Sequence, residues 1–492
     1  MFSAKDSKRN TRFASRTDIT LAGRVALCIA LLAAAPSFAG TPEEIARVEK
    51  GLRAPVALAG VPVAVTALAD EMRRLNVPGV SVAVIRNGEI RWAKGYGVTH
   101  ANGPAVTPST LFQAASISKP VAAMGALRMV EEGKLALDAD INTMLTSWKL
   151  PPGPGEAKAT LRQLLSHTAG TGVHGFPGYA AGAAVPTALQ VLDGSGPANT
   201  KAVRIDSVPG AAWKYSGGGY TIVQQAMVER GGKTFEDLLA DSVLKPIGMN
   251  DSTFAQPLPA ALLGRAALPH DRNGEPVAGG PHTHPEQAAA GLWTTPTDLA
   301  RFALEVQRSA AGAKGVLSPA MVRTMLTPVR QQYGLGLEIE GEGAGLSFGH
   351  GGSNVGYKTS LYAYAANGDG VVVMTNGDRG GELAGGLLRA IAAEYGWPSD
   401  HTRVRKAVEL SAAALGKLAG RYEIKNGGTF ELAIRDGLLM LATPDSPFEP
   451  VYAESEGVLF VLSRDLELRM EPGTGAGRLV FGSWETSFQR ID

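Results

Sequence analysis

Ser116 and Lys119 stand three residues apart in Phe112-Gln-Ala-Ala-Ser-Ile-Ser-Lys-Pro120, where a short extended stretch gives way to a helix. Residues at that spacing share one helix face, which brings an amine beside a hydroxyl. A serine hydroxyl is a poor nucleophile at its own pKa, and a desolvated amine with a lowered pKa is a suitable base for it. The unpaired N–H groups of a helix start favour developing negative charge. The chemistry these residues offer is acyl transfer through an acyl-serine.

The helix is read from Val121, Met124, Leu127 and Val130, apolar at helical spacing, and from Gly133, which ends it. Pro120 has no amide hydrogen and fits only the first turn, which sets the helix start near Ser116. Spacing alone says little, because Ser242-Val-Leu-Lys245 repeats it. Ser242 falls late in a helix that Pro246 stops, with no turn to expose it, and is read as structural.

Around this stretch the chain alternates strands and helices. A helix is expected over 63–74. Gly79 to Ile85 is an apolar strand, Asn87-Gly88 a hairpin turn, and Glu89 to Gly97 the returning strand. A short helix, Thr160 to Leu165, runs into Ser166-His-Thr-Ala-Gly170. Residues 171–215 are rich in Gly, Pro and Ala and read as irregular; Tyr220 to Arg230 and Thr234 to Leu244 read as helices. Thr295 caps a further helix, with Pro296 at its first position. Tyr357 to Ala365 and Val371 to Asn376 are strands about an Asn367-Gly368 turn, and Gly381 to Glu394 is a helix. This order gives one antiparallel sheet with helices packed on it. From Leu418 onward short alternating strands make a small all-β barrel or sandwich.

With 492 residues, 45% hydrophobic and 19% charged, the chain has the makings of a soluble protein of two to four domains. A net charge of +1 gives no reason to expect nucleic acid or an anionic membrane as partner. Arg12, Arg16 and Arg24 precede the apolar run Val25 to Ala35 and the small-x-small pattern ending at Ala39, an export signal expected to be cleaved there. The one cysteine, Cys28, lies inside that signal, so the mature protein has no disulfide, no thiol catalysis and no cysteine zinc site. No later stretch is long enough to span a membrane. The expected location is periplasmic or secreted.

Five stretches then occur in order: Ser116-Ile-Ser-Lys119, Leu164-Leu-Ser-His-Thr-Ala-Gly170, Tyr215-Ser-Gly217, Gly291-Leu-Trp-Thr-Thr-Pro-Thr-Asp298 and His350-Gly-Gly352. Together they resemble the serine β-lactamase and penicillin-binding-protein superfamily, in its class C branch of penicillin-binding esterases and D-aminopeptidase-like hydrolases. The resemblance covers roughly 63–396. It implies an α/β (α+β) fold, an antiparallel sheet flanked by helices plus an all-α region, over 40–400. Residues 410–492, opening with Leu418-Ala-Gly-Arg-Tyr-Glu423, resemble the lipocalin-like modules appended to some members. By the resemblance Ser116 is the nucleophile and Lys119 its activating partner. Tyr215 shuttles the proton and is kept partly anionic by Lys119. His350, Gly351 and Gly352 form the third box, and the backbone N–H groups of Ser116 and Ser353 form the oxyanion hole.

Two positions depart from the family pattern. Gly217 replaces the asparagine that holds the lysine and the substrate's acylamide, and His350 replaces the third-box lysine. Both favour a general hydrolase of a small ester, amide or lactam, esterase or peptidase before efficient β-lactamase. The alternatives are a true β-lactamase or DD-carboxypeptidase, a non-catalytic penicillin-binding protein, or an acyltransferase. No cofactor or metal is expected: His282-Thr-His284 has no third ligand and is read as a loop. His167 is read as ordering a loop, and the sequence sets no oligomeric state.

Overall fold

Asn87 and Gly88 both take positive φ, 52° and 78°, so the chain doubles back between β1 (Gly79–Arg86) and β2 (Glu89–Gly97). The computed structural model describes residues 40–398, 402–425, 427–444, 446–482 and 484–492; the export signal and Cys28 lie outside them. The hairpin is one edge of a six-stranded sheet completed by β3 (Glu338–Glu340), β4 (Ser347–Asn354), β5 (Tyr357–Tyr364) and β6 (Gly370–Thr375). The spatial order is β2-β1-β6-β5-β4-β3, and every pairing is antiparallel.

Both faces of this sheet are covered, which is why β1 reads as a continuous apolar run and not as an alternating one. Val80, Val82, Val84, Val371 and Val373 pack on one side with Leu383, Leu387 and Ile391 of the helix Gly380–Tyr395. Ala83, Ile85, Val372 and Met374 face the main core on the other side. That core joins α1 (Ser118–Glu131), α2 (Gly217–Gly231) and α3 (Pro296–Ala310) to the sheet. Each fully buried Leu, Val or Phe there contributes roughly 1.5–3 kcal/mol. The cap of α3 is the expected one: Thr295 Oγ1 accepts from the Asp298 N–H at 3.1 Å.

Two local expectations shift, and the structural reading of Ser242 holds. The helix expected over 63–74 covers only Leu68–Arg74, because Val65–Thr66 pairs instead as a strand with Leu52–Arg53. α2 begins at Gly217 and not at Tyr220, because the Ser216 hydroxyl accepts from the Gly219 N–H at 2.9 Å and caps it there. Ser242 lies in a π-helical turn, Ala240–Leu244, with its hydroxyl donated to the Leu238 carbonyl at 2.6 Å. That bond holds the side chain against its own helix.

Residues 420–490 form a nine-stranded antiparallel sheet. Its two outermost strands, Ser446–Pro450 and Tyr452–Ser455, are consecutive in the chain and joined by Val451 alone. The two edges must therefore lie beside each other, and the sheet curls into a nearly closed barrel. Tyr422, Phe430 and Phe488 fill its interior, the first two stacked at 4.9 Å. The connection back to the first sheet is tied down where Arg403–Arg405 pairs in parallel with Val56–Leu58. No helix among the described residues is long and apolar enough to cross a membrane.

Candidate active site

The serine is presented by a turn that its neighbours hold fixed. Phe112–Gln113 pairs with Trp293–Thr294, and the Ala114 N–H donates to the Leu292 carbonyl at 2.8 Å. Ala115 then takes φ 51°, a left-handed conformation that costs energy for a residue with a Cβ. A 3₁₀ turn, Ala115–Ile117, leads into α1, so Ser116 lies just ahead of the α-helix. Ser118 pins the turn from below: its hydroxyl donates to the Ala115 carbonyl at 2.6 Å and accepts from the Leu292 N–H at 2.9 Å. Every residue from Thr110 to Leu127 is buried except Ser116.

Lys119 is 2% exposed. Its amine donates to the Ala289 carbonyl at 2.8 Å and lies 3.0 Å from Ser116 Oγ. No carboxylate among the described residues compensates for its burial, and desolvation lowers its pKa from 10.5 to about 7. Near neutrality a large fraction of this amine therefore has a free lone pair.

The Tyr215 ring lies 4.9 Å from the Lys119 amine that contacts Ser116. Burial pushes its pKa up, so the phenol stays neutral. The expectation of a partly anionic tyrosine gives way: desolvation penalises the phenolate as it penalises the ammonium, and the amine is the group that yields. His167 holds Tyr215 from both sides. Its carbonyl accepts from the Lys214 N–H at 2.8 Å, and its Nδ1 accepts from the Ser216 N–H at 3.1 Å. Its ring packs 4.2 Å from that of Tyr215. Burial and the nearby Lys119 keep His167 neutral, with its pKa well below the usual value.

The third box forms the opposite wall. β3 pairs with β4 only over Ser347 to Gly349, leaving the edge from His350 to Asn354 unpaired by β3 and open towards the serine turn. A Cβ on Gly352 would lie 2.3 Å from the Ala114 carbonyl oxygen and 2.1 Å from Thr359 Oγ1, so only glycine permits this approach. A Cβ on Gly351 would meet open space. Ser353 is exposed, next in line. His350 is buried, with Nδ1 2.5 Å from the Gly351 carbonyl and Nε2 3.1 Å from the Tyr333 hydroxyl. The first contact makes Nδ1 the protonated nitrogen, and Nε2 accepts from Tyr333. Burial and Lys119 lower the His350 pKa to about 3, so it is a neutral hydrogen-bonding group and supplies no cation.

Gly217 opens α2 beside Tyr215. A Cβ there would meet Phe176 Cε2 at 2.9 Å and the His174 carbonyl at 3.2 Å. The space of an asparagine arm is thus taken by the 174–176 loop, and the His174 ring lies tilted, 4.9 Å from that of Tyr215. Sequence reasoning missed His174, Phe176, Tyr333 and Glu338, whose charge acts on both Tyr215 and Tyr333. Only folding brings them near Ser116, and none lies in a stretch with its own chemical pattern. His282 is engaged by its Nδ1 with the Pro177 carbonyl at 2.8 Å, and His284 is buried.

A buried amine on a half-buried serine, a neutral tyrosine and an open strand edge assemble from stretches more than two hundred residues apart. Residues 65–395, more than half of the chain, match the family model described as Beta-lactamase. The chain belongs to the β-lactamase family. Within this family it is 31% identical over 219 residues to Esterase EstB of Burkholderia gladioli, covering 42% of this chain and 54% of the esterase. It spans only about half the length of that relative. It is 25% identical over 378 residues to Penicillin-binding protein 4 of Amycolatopsis lactamdurans, covering 72% of this chain and 94% of that protein. Among solved structures, the octameric penicillin-binding protein homologue from Pyrococcus abyssi superposes with a TM-score of 0.56 at 22% identity. It covers 85% of this chain and 98% of that one.

Proposed function

We propose that this protein is a serine hydrolase that cleaves small esters through an acyl-enzyme on Ser116. The observation that carries this is the buried Lys119 amine, titrating near pH 7, 3.0 Å from the half-buried Ser116 hydroxyl. Neutral Lys119 takes the Ser116 proton as Oγ attacks the substrate carbonyl. The backbone N–H groups of Ser116 and Ser353 receive the oxyanion. Tyr215, neutral, passes its proton to the leaving group and is reprotonated by the Lys119 ammonium, which regains its lone pair for the second step. Water then repeats the sequence in reverse: it loses a proton to the base, attacks the acyl carbon, and Ser116 leaves with a proton.

Two features support ester over lactam or peptide. The asparagine arm that would hold an acylamide is missing, and the 174–176 loop fills its place. His350, with a pKa of about 3, offers a lactam carboxylate no positive charge. The similarity to an esterase and to a penicillin-binding protein agrees with an acyl-serine in either case. The protein acts after export, on the strength of its leader, and residues 410–492 are an appended β domain.

Turnover of p-nitrophenyl acetate, a chromogenic cephalosporin and a D-alanyl anilide ranks the substrate classes. The ester is expected to be fastest by kcat/KM. A cephalosporin turned over faster than the ester would make the protein a β-lactamase instead.

A further inference from the structure

Two adjacent carbonyls on one stretch of backbone serve two different parts of the cleft. The Ala289 carbonyl accepts from the Lys119 amine at 2.8 Å, and the Ala290 carbonyl accepts from Asn354 Nδ2 at 3.3 Å. The same stretch holds the serine turn, through the Leu292 carbonyl on the Ala114 N–H and the Leu292 N–H on the Ser118 hydroxyl. Asn354 is the last residue of β4 and directly follows Ser353. Its amide also donates to Gln113 Oε1 at 2.7 Å, and the Gln113 amide donates in turn to the His282 carbonyl at 2.8 Å. Both side chains are buried.

Gln113 stands three residues before Ser116, so this amide pair bridges the serine turn and the third-box strand. Backbone pairing does not join them: Phe112–Gln113 pairs with Trp293–Thr294, and β4 pairs with β3 and β5. A second side-chain bond lies alongside. The Ala114 carbonyl accepts from the buried Thr359 hydroxyl at 3.0 Å, and Thr359 lies opposite Gly352 in the β4–β5 register. The spacing of the two segments is thus set by side chains at two neighbouring residues, Gln113 and Ala114. An oxyanion hole tolerates little error in that spacing. Its donors must lie about 2.7–3.1 Å from the developing charge, and a shift of about 1 Å can cost about 10² in rate.

We propose that Asn354, acting through Gln113 and Ala290, is a positioning residue that sets the distance between the two oxyanion donors, the N–H groups of Ser116 and Ser353. This rests on the reading of those two groups as the hole. Both amide hydrogens of Asn354 are engaged, so it has no donor left for a substrate. A buried amide pair can also serve stability alone, which would change melting and leave the rate per active site untouched.

Two variants test the role. Asn354→Leu removes both donors at similar volume. The double variant Gln113→Met with Asn354→Leu replaces the pair by apolar groups, a change that buried hydrogen-bonded pairs tolerate better than loss of one partner. Where the single variant does not fold, the double variant decides. End-point labelling with a fluorophosphonate counts the active sites in each. Per site, kcat/KM for p-nitrophenyl acetate is expected to fall by about tenfold to a hundredfold in both. The Ki of phenylboronic acid, whose tetrahedral adduct on Ser116 places an oxygen in the hole, should rise by the same factor. Full rate per site in either variant, or a wild-type Ki beside a fallen kcat/KM, would overturn the positioning role. A slow Gly352→Ala beside a fully active Asn354→Leu would remove Asn354 from the account and leave the hole in place. A wild type that takes no fluorophosphonate would instead overturn the acyl-serine reading, a distinguishable failure.

Discussion

The Lys119 amine sits 3.0 Å from the Ser116 hydroxyl, and its other hydrogen bond, 2.8 Å long, goes to the Ala289 carbonyl. An ammonium in that position would be held by neutral groups alone. The site is therefore arranged to keep the amine unprotonated, and its behaviour with pH follows.

Ester hydrolysis should depend on an amine that ionises near pH 7. Below that value Lys119 is an ammonium without a lone pair, and kcat/KM for p-nitrophenyl acetate falls about tenfold per pH unit. Above it the rate levels off. A flat profile from about pH 5 to about pH 7 would remove Lys119 as the base.

Lys119→Met should trade activity for stability. The unfolded lysine binds a proton below 10.5, but the folded one does so only below about 7, so the native lysine costs stability at neutral and lower pH. As pH rises from about 7 towards 10.5 that cost fades. The variant is expected to lose activity by about 10²–10⁴. Calorimetry should show its Tm above wild type at low pH, with the gap closing in alkali. A lower Tm at every pH would contradict the account.

Much of this site was legible from the chain, and the limits have physical causes. Ser116 at a helix start, the Thr295 cap and the Asn87-Gly88 turn each rest on local backbone chemistry, and each lies where the pattern implied. The left-handed Ala115 carries no sign in its own residue type, because alanine has no preference for that conformation. Tyr333 and Glu338 belong to the site only because β3 ends where His350 begins, a register that local periodicity does not encode. The helix expected from residue 63 fails for a related reason: Val65 finds a strand partner in Arg53, and pairing outweighs helical spacing.

Gly217→Asn should not restore lactam turnover. The added Cβ would lie 2.9 Å from Phe176 Cε2, so the loop must shift before an amide reaches the cleft. We expect ester turnover to fall several-fold and cephalosporin turnover to stay at the wild-type level. Pairing the change with Phe176→Ala should recover the ester rate. A single Gly217→Asn variant with faster cephalosporin turnover would show that the loop yields freely.

Gly352→Ala tests the approach of β4 to the serine turn. Its Cβ would stand 2.3 Å from the Ala114 carbonyl oxygen, forcing the strand and the Ser353 N–H away from Ser116. Loss of one oxyanion donor costs about 10²–10³ in kcat. Stopped assays with p-nitrophenyl acetate, beside a melting curve to confirm folding, measure it. A folded variant with wild-type kcat would place the oxyanion elsewhere.

The most direct test of the central claim is intact-protein mass spectrometry after incubation with a fluorophosphonate, on wild type and on Ser116→Ala. The account predicts one adduct on the wild-type chain, mapped to the peptide containing Ser116, and none on the variant. An unlabelled wild type, or an adduct that survives in Ser116→Ala, would contradict it.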